Sequence, residues 1–217
     1  MTRVKICCIA SIEEARLAVR VGASALGLVS EMPSGPGVIS EARITEIAAS
    51  VPPPIATFLL TSRTDPEAIV AQQKRCCVNS IQICDRISPG AYVDLRRSLP
   101  GVSLVQVIHI SDERSLAEAL HVAPVVDALL LDSGDPSLPV KELGGTGRTH
   151  DWRISARIAR ECSVPVFLAG GLNSDNVGDA IRSFRPFGVD LCTGVRTAGK
   201  LDERKLLRFM DAVAAAA

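Results

Sequence analysis

The feature that most constrains the fold is a regular alternation: short β-branched or apolar runs are each followed by a segment with helical periodicity. The alternation repeats eight times with no break in composition. The runs are almost continuously apolar, as in parallel strands that are buried on both faces. Eight units in 217 residues predict a (β/α)8 TIM barrel, an α/β single domain spanning residues 1–217. An open doubly wound sheet is disfavoured because no G-x-G-x-x-G follows the first strand.

Local signals mark the starts of several helices. Ser11 and Ser40 are placed to cap the first two helices, and Pro66 occupies the favoured first position of the third. A long polar loop, "SGDPSLPVKELGGTGRTH", separates the sixth strand from its helix. The expected strands read, in chain order, "VKICCI", "SALGLVS", "IATFLL", "VNSIQIC", "VSLVQVIH", "VDALLLD", "VPVFLAG" and "GVDLCTG".

Composition excludes several classes of partner. The 24 basic and 24 acidic side chains leave no net charge, whereas nucleic-acid-binding proteins normally carry a basic excess. No apolar run approaches the roughly 20 residues of a membrane span. The start, "MTRVKICCIA", lacks the features of a signal peptide. We therefore expect a cytoplasmic protein that binds neither nucleic acid nor a membrane.

Seven cysteines occur, with adjacent pairs at Cys7–Cys8 and Cys76–Cys77. In a reducing compartment such thiols stay free. Neighbouring strand residues point to opposite faces and no C-x-x-C motif is present, so ligands for zinc do not converge. We expect no metal site.

In a barrel, the chemistry lies where the strands end, and two such ends carry suitable groups. Cys7 ends the first strand and Asp132 ends the sixth, so both should reach the mouth from opposite sides of the ring. A thiolate base facing a carboxylic acid suits a reaction that removes a proton from carbon while protonating an oxygen. Lys5, two residues before Cys7 and on the same strand face, would stabilise the thiolate and is also a candidate substrate-binding residue. Structural interpretations also exist: Cys7 as a small buried hydrophobe and Asp132 as a cap for loop amides.

Glycine-bearing turns follow the last strands, in "LAGGLNSDN" and "CTGVRT", and a third cluster, "GGTG", lies in the loop after strand 6. Glycine lets the backbone approach a ligand and point N–H groups at an anion, and barrels often hold a phosphate between the last two loops. Each of these turns, taken alone, is more often a tight turn that binds no ligand. Together they predict a phosphate site; the candidate residues are Gly145, Gly147, Gly170, Gly171, Thr193 and Gly194.

The motifs "VKICCIAS", "GASALGLV", "VDALLLDS", "GGTGRTHDW", "PVFLAGGLNSDNVGDAI" and "FGVDLCTGV" resemble, in this order, the phosphoribosylanthranilate isomerase family of tryptophan biosynthesis. The resemblance implies a (β/α)8 barrel without a cofactor that converts an aminoaldose phosphate to an aminoketose phosphate, an Amadori rearrangement. It implies that Cys7 is the base and Asp132 the acid, that the glycine loops bind phosphate, and that Gln82 is a retained pocket residue. Members of such families are monomers or homodimers.

The chain departs from the family pattern at the mouth. The glycine that follows the catalytic cysteine is Cys8, and "SSGVE" after strand 8 reads "CTGVR", so that Arg196 replaces an acid. The family's "QLHG" reads "QICD", which introduces Cys84 and Asp85. The "SPR" segment, whose arginine helps to hold the anthranilate, is replaced by "SEMPSGPGVIS", which has no arginine.

Given both the resemblance and these departures, three functions remain open. The first is the ordinary isomerase with rebuilt contacts to the aromatic acid, for which Arg63 or Arg196 would supply the missing cation. The second is a paralogue that isomerises another phosphorylated aminosugar. The third is a noncatalytic phosphosugar-binding barrel, which would have no need for both Cys7 and Asp132.

Overall fold

The computed structural model describes residues 2–216 and contains a closed barrel of eight parallel strands. The strands are β1 (Arg3–Ile6), β2 (Ala25–Val29), β3 (Ala56–Thr61), β4 (Ser80–Ile83), β5 (Ser103–His109), β6 (Ala128–Asp132), β7 (Val166–Leu168) and β8 (Gly188–Leu191). The helices are α1 (Ile12–Arg20), α2 (Glu41–Ser50), α3 (Pro66–Cys76), α4 (Pro89–Ser98), α5 (Arg114–Val122), α6 (Trp152–Glu161), α7 (Val177–Phe184) and α8 (Glu203–Ala216).

The predicted helix starts are confirmed. The Ser11 and Ser40 side chains accept hydrogen bonds from the third backbone N–H beyond them, and thereby cap α1 and α2. Pro66 is the first residue of α3, where the missing N–H costs nothing. Cys77 ends α3 in the left-handed conformation, with φ of 54°, a position that ordinarily favours glycine.

The strands pair in chain order, and β1 closes the ring against β8. The register sets Lys5 opposite Asp190 and Ile6 opposite Leu191. The (β/α)8 barrel prediction is therefore confirmed. Because all eight strands run parallel, the residues after their carboxyl ends gather at one mouth.

Apolar side chains fill both the space between barrel and helices and the barrel interior. Two large clusters of mostly Ile, Leu, Val and Ala lie outside the barrel. A third, inside it, contains Phe58 and Phe167, whose rings meet edge to face at 6.2 Å. Cys7 and Cys8 belong to this inner cluster. The first strand therefore places its thiols above a rigid apolar floor.

Two loops form the roof of the mouth. Ser34, in the loop after β2, donates to the backbone oxygen of Lys141 in the long loop after β6, at 2.7 Å. Pro36 and Gly145 of the same loops lie so close that a Cβ on Gly145 would stand 2.7 Å from the proline ring.

A short antiparallel hairpin, β9 (Arg196–Thr197) and β10 (Lys200–Leu201), precedes α8 and was not predicted. Between residues 2 and 216, no helix combines the length and apolar character that crossing a bilayer requires.

Candidate active site

The mouth of the barrel holds an open cavity of about 690 Å³. Its lining includes both Cys7 and Asp132, as the sequence predicts for the two reacting groups. One wall is apolar and is built by Val29, Leu60 and Leu143. The lining also includes the glycine-bearing loops after β6 and β7. A site with an apolar side and a few convergent polar groups suits a small ligand of mixed character.

Cys7 lies directly beyond β1, and its backbone N–H donates to the oxygen of Leu191 at 2.8 Å, which extends the barrel pairing by one residue. A Cβ on Gly27 of β2 would stand 2.8 Å from the Cys7 Sγ and 3.1 Å from the Lys5 Nζ. The thiol and the ammonium are therefore neighbours that face the same glycine. A cation in this place lies where it can balance the negative charge of a thiolate base.

Lys5 is fully buried and forms an ion pair with Asp190, with 2.9 Å between Nζ and Oδ1. Burial alone would lower the pKa of Lys5, but the charges of Asp190 and Cys7 outweigh it and the pKa is raised. Burial raises the pKa of Asp190, which by itself would favour the neutral carboxyl and oppose the ion pair. The 2.9 Å contact favours the charged pair, and Lys5 remains an ammonium.

Asp132 ends β6 at the edge of the cavity. Its Oδ1 accepts a hydrogen bond from the Ser133 N–H at 2.7 Å. Its Oδ2 faces Gly144, where a Cβ would stand 2.7 Å away, and it makes no hydrogen bond within residues 2–216. Burial raises the pKa of this carboxyl, against the opposing effects of the Ser133 N–H and of His109. A carboxyl that holds its proton more tightly than usual, with one oxygen unengaged, is suited to act as a general acid.

Gln82 of β4 also lines the cavity and is 4% exposed. Its Nε2 lies 3.8 Å from the Cys84 Sγ, and its Oε1 is buried with no partner in the described part of the chain. An unpaired buried amide is costly unless a ligand satisfies it. The geometry supports the prediction that Gln82 contacts the substrate.

The three glycine clusters meet at one side of the cavity. A Cβ on Gly171 would stand 2.9 Å from the Gly147 oxygen, and one on Gly147 would stand 3.8 Å from the Thr193 Oγ1. Gly145, Gly147, Gly170 and Gly171 all have positive φ. Because these loops touch backbone to backbone, side chains would separate them. The loops after β6, β7 and β8 are thus adjacent, as a phosphate site requires.

Two predicted substrate-binding residues lie outside the cavity lining. Lys5 is buried beneath the mouth and its ammonium is engaged by Asp190, so the geometry gives it a place behind Cys7 rather than against a ligand. Gly194 packs against the loop after β7, where a Cβ would stand 2.2 Å from the Leu172 oxygen. The absence of a side chain at Gly194 is explained by packing alone, whereas its neighbour Thr193 does line the cavity.

The two arginines considered as replacement cations do not reach the cavity. Arg196 is turned away from it: its side chain is 8% exposed and its guanidinium donates to Glu14 and to the backbone oxygens of Cys7 and Cys8. Arg63 lies on the surface, 3.9 Å from Glu41. Neither arginine is in the lining. The hypothesis that one of them meets a carboxylated ring is not supported.

Asp85, one of the departures from the family pattern at the mouth, has its negative charge balanced by an ion pair. Its Oδ2 pairs with Lys141 from the loop after β6, and its Oδ1 accepts from the Arg86 N–H. Asp85 does not line the cavity. The ion pair of Asp85 with Lys141 joins the segment after β4 to the loop after β6. The cavity therefore does not carry the charge of Asp85.

Sequence reasoning missed Asp190, Cys192 and the structural role of Arg196. Asp190 and Cys192 line the cavity beside Cys7. The pairing of β1 with β8 brings them there across more than 180 residues of sequence. A signal was present: barrel closure makes the first and last strands neighbours, so a buried lysine in one predicts an acid in the other.

Fold and cavity together define a class: a (β/α)8 barrel with a thiol and a carboxyl group in one mouth, beside three adjacent glycine-bearing loops. A model of the family described as N-(5'-phosphoribosyl)anthranilate (PRA) isomerase matches residues 4–212. The chain belongs to the phosphoribosylanthranilate isomerase family.

Individual relatives agree with this assignment. An N-(5'-phosphoribosyl)anthranilate isomerase of Halorubrum lacusprofundi is 36% identical over 212 residues, which cover 97% of this chain and 95% of the relative. Isomerase 2 of Methanosarcina mazei is 34% identical over 210 residues, covering 96% and 92%. The phosphoribosylanthranilate isomerase of Thermotoga maritima superposes with a TM-score of 0.85 at 28% identity, covering 99% and 100%. A phosphoribosylanthranilate isomerase in complex with reduced 1-(o-carboxyphenylamino)-1-deoxyribulose 5-phosphate gives a TM-score of 0.82 at 26% identity, with the same coverage.

Proposed function

We propose that this chain, as a single barrel domain, is a phosphoribosylanthranilate isomerase that converts N-(5'-phosphoribosyl)anthranilate to the 1-deoxyribulose 5-phosphate aminoketose. The observation that carries the proposal is the shared cavity of Cys7 and Asp132, bordered by the three glycine loops. Membership of the family supports the substrate assignment.

The acid step uses Asp132. Its unengaged Oδ2 protonates the ring oxygen of the furanose, and the C1–O bond breaks as the nitrogen lone pair forms a protonated Schiff base. Burial raises the pKa of the carboxyl, which favours the protonated form that this step uses. Oδ1 stays bonded to Ser133, which fixes the orientation of the donor.

The base step uses Cys7. The thiolate removes the proton from C2, and the electron pair moves to the iminium, which gives an enolamine that tautomerises to the ketone. Lys5, held by Asp190, balances the charge of the thiolate before the proton is taken. Since the substrate's own iminium accepts the electrons, the step needs no added electron sink.

The phosphate and the amine of the substrate contact different parts of the cavity lining. The phosphate lies against the backbone of Gly145, Gly147, Gly170 and Gly171 with the Thr193 hydroxyl, and the amide of Gly194 belongs to the same turn. Gln82 offers its unpaired Oε1 to a sugar hydroxyl. The ring of the amine lies against the apolar wall of Val29, Leu60 and Leu143. This arrangement supports a small-molecule phosphosugar substrate; the cytoplasmic location and the monomeric or homodimeric state stay predictions.

Turnover of N-(5'-phosphoribosyl)anthranilate, followed by fluorescence, tests the proposal. Cys7→Ala and Asp132→Asn should each lower kcat by about 10²–10⁴-fold, the usual contribution of a general acid or base. Cys162→Ala and Asp94→Asn, at positions outside the cavity, serve as matched controls and should retain wild-type turnover. A wild-type protein with no turnover refutes the activity, and variants that match an active wild type refute the roles.

One observation favours a second candidate, a paralogue that acts on an aminosugar phosphate with an uncharged substituent. Among residues 2–216, the cavity lining includes no lysine or arginine that could pair with the carboxylate of anthranilate. Comparing kcat/KM for the anthranilate and aniline derivatives of the phosphoribosyl sugar separates the two. Preference for the anthranilate derivative supports the first candidate, and preference for the aniline derivative supports the second.

A further inference from the structure

The chain directly after β1 carries two backbone oxygens that no neighbouring strand engages. The Cys7 N–H donates to the Leu191 oxygen at 2.8 Å, and the Ile9 N–H donates to the Gly27 oxygen at 3.0 Å. In the described part of the chain, no backbone N–H donates to the oxygens of Cys7 and Cys8. Both residues are buried, and buried carbonyl groups are almost always paired. A side chain has to supply the donors at this point.

Arg196 supplies them. Its Nη2 donates to the backbone oxygens of Cys7, at 3.4 Å, and of Cys8. The arginine side chain is itself almost fully buried, so water competes little for these bonds. Arg196 begins the β9–β10 hairpin, which follows β8. The end of the first strand is therefore held by a side chain that comes after the last strand of the barrel.

The guanidinium is fixed in turn by Glu14 and the hairpin. Its Nη1 donates to the Glu14 Oε1 and to the Gly199 oxygen, each at 2.9 Å, and its Nη2 donates to the Glu14 Oε2 at 3.1 Å. Glu14 also accepts hydrogen bonds from the N–H groups of Leu201 and Ala10. A planar fork of donors can serve all these acceptors together, whereas the single ammonium of a lysine cannot. Helix α1, the hairpin and the end of β1 therefore meet at one arginine.

Cys8 shows that the main chain is held firmly here. Its φ is 62°, in the left-handed region that residues with side chains rarely adopt. Such a conformation persists where the surrounding structure leaves no alternative. Arg196 binds the Cys8 oxygen, and Gly37 lies against the Cys8 side chain, where a Cβ would stand 2.4 Å from the Cys8 Cβ. The residue that follows the proposed base thus has contacts on both its backbone and its side chain.

We infer that Arg196 is a positioning residue, which fixes the main chain of Cys7 and Cys8 and thereby holds the Cys7 sulfur in the cavity that contains Asp132. Arg196 does not line the cavity and acts through the backbone of Cys7. The consequence for the rate rests on the proposed function, in which Cys7 is the base. Proton transfer depends on the distance between the base and the carbon, so a less firmly held Cys7 lowers kcat more than it weakens substrate binding.

Amide hydrogen exchange, resolved by residue with NMR on the full chain, tests the positioning without any substrate. Arg196→Gln should raise the exchange rates of the Cys7 and Ile9 amides several-fold relative to the amides of β3, because the strand end opens locally. Asp202→Ala is the matched control. Asp202 accepts from the Thr197 hydroxyl and from the Lys205 N–H, so its loss weakens the same hairpin without removing a contact to β1. In Asp202→Ala the relative exchange of the two amides should equal that of wild type.

Steady-state turnover of N-(5'-phosphoribosyl)anthranilate by the same variants tests the effect on the reaction. Arg196→Gln should lower kcat by about 10–10²-fold, up to the loss that a misplacement of about 1 Å causes, with a much smaller change in KM. Arg196→Lys keeps the charge without the fork of donors and should recover part of the loss. Asp202→Ala should keep the kcat of wild type.

The two assays separate failure of this inference from failure of the proposed function. Unchanged exchange at Cys7 and Ile9 in Arg196→Gln overturns the inference, whether or not the wild type is an isomerase. Faster exchange with an undiminished kcat overturns it as well, and so does an equal loss of kcat in Asp202→Ala, which assigns the effect to general stability. A wild type without turnover refutes the proposed function, and the exchange rates still decide whether Arg196 holds the strand end. If Arg196→Gln does not fold, Arg196→Lys with wild-type values in both assays overturns the inference.

Discussion

Gly27 is the position at which the smallest change should disturb the reacting thiol most. It lies in β2, and its φ is not in the left-handed region, so the backbone accepts alanine. The new methyl group would stand 2.8 Å from the Cys7 Sγ, 3.1 Å from the Cys7 Cα and 3.1 Å from the Lys5 Nζ. Gly27→Ala therefore presses on the base and on its counterion together.

The size of the effect follows from these distances. Non-bonded carbon and sulfur atoms in contact need about 3.5–4.0 Å, so the Sγ must move by about 1 Å. A misplacement of that size at a reacting group costs about 10²-fold in rate. Overpacking a rigid interior costs about 1–3 kcal/mol of stability, which leaves a folded enzyme.

The assay compares kcat/KM for N-(5'-phosphoribosyl)anthranilate with the midpoint of urea unfolding. Gly27→Ala should lose about two orders of magnitude in kcat/KM with a modest fall in stability. Gly90→Ala is the matched control, because it lies in the first turn of α4 with nothing within 4 Å of the added Cβ. It should keep wild-type kcat/KM and stability equal to or slightly above wild type. A folded Gly27→Ala enzyme within twofold of wild type would refute the placement of Cys7 as the base.

Three further predictions concern stability. Lys5→Met leaves Asp190 buried without its partner and should lower the free energy of unfolding, measured in urea, by about 3–5 kcal/mol. The double variant Lys5→Met/Asp190→Leu should recover much of that loss. Equal losses in the single and double variants would contradict the ion pair. The raised pKa of Asp132 means that the native state binds its proton more tightly than the unfolded chain, so its contribution to stability is present at acid pH and is lost as pH rises through the raised pKa. Asp132→Asn should therefore gain stability relative to wild type as pH rises above about 4, the unfolded carboxyl pKa, and a difference between the two proteins that is independent of pH contradicts this. Cys77→Gly, at an exposed left-handed helix end with φ of 54°, should raise the unfolding free energy by about 1 kcal/mol, and no gain in thermal midpoint contradicts the strain.

The parts of this molecule that could be predicted from sequence are those set by local pattern. Strand–helix alternation predicts the barrel, and barrel topology places Cys7 and Asp132 at one mouth because Cys7 directly follows β1 and Asp132 ends β6. Cap residues such as Ser11 and Ser40 mark helix starts because their hydrogen bonds span only three residues.

What the sequence left open depends on contacts between distant segments. The partner of Lys5 is Asp190, a choice made by the register of the closing strands. The orientation of Arg196 is set by its ion pair with Glu14 in α1. The sequence suggests a cation free to bind substrate, whereas the residue has a structural role. Position 194 requires glycine because the Leu172 backbone oxygen, in the loop after β7, leaves no room for a Cβ. None of these contacts has a periodic signature.

The most direct test of the central claim is the single-turnover rate with substrate deuterated at C2. If the Cys7 sulfur removes that proton in the cavity it shares with Asp132, the wild-type rate should fall several-fold on deuteration, and Cys7→Ala should lose the reaction with either isotope. A protein that turns over both isotopic substrates at one rate, with Cys7→Ala as fast as wild type, would contradict the account.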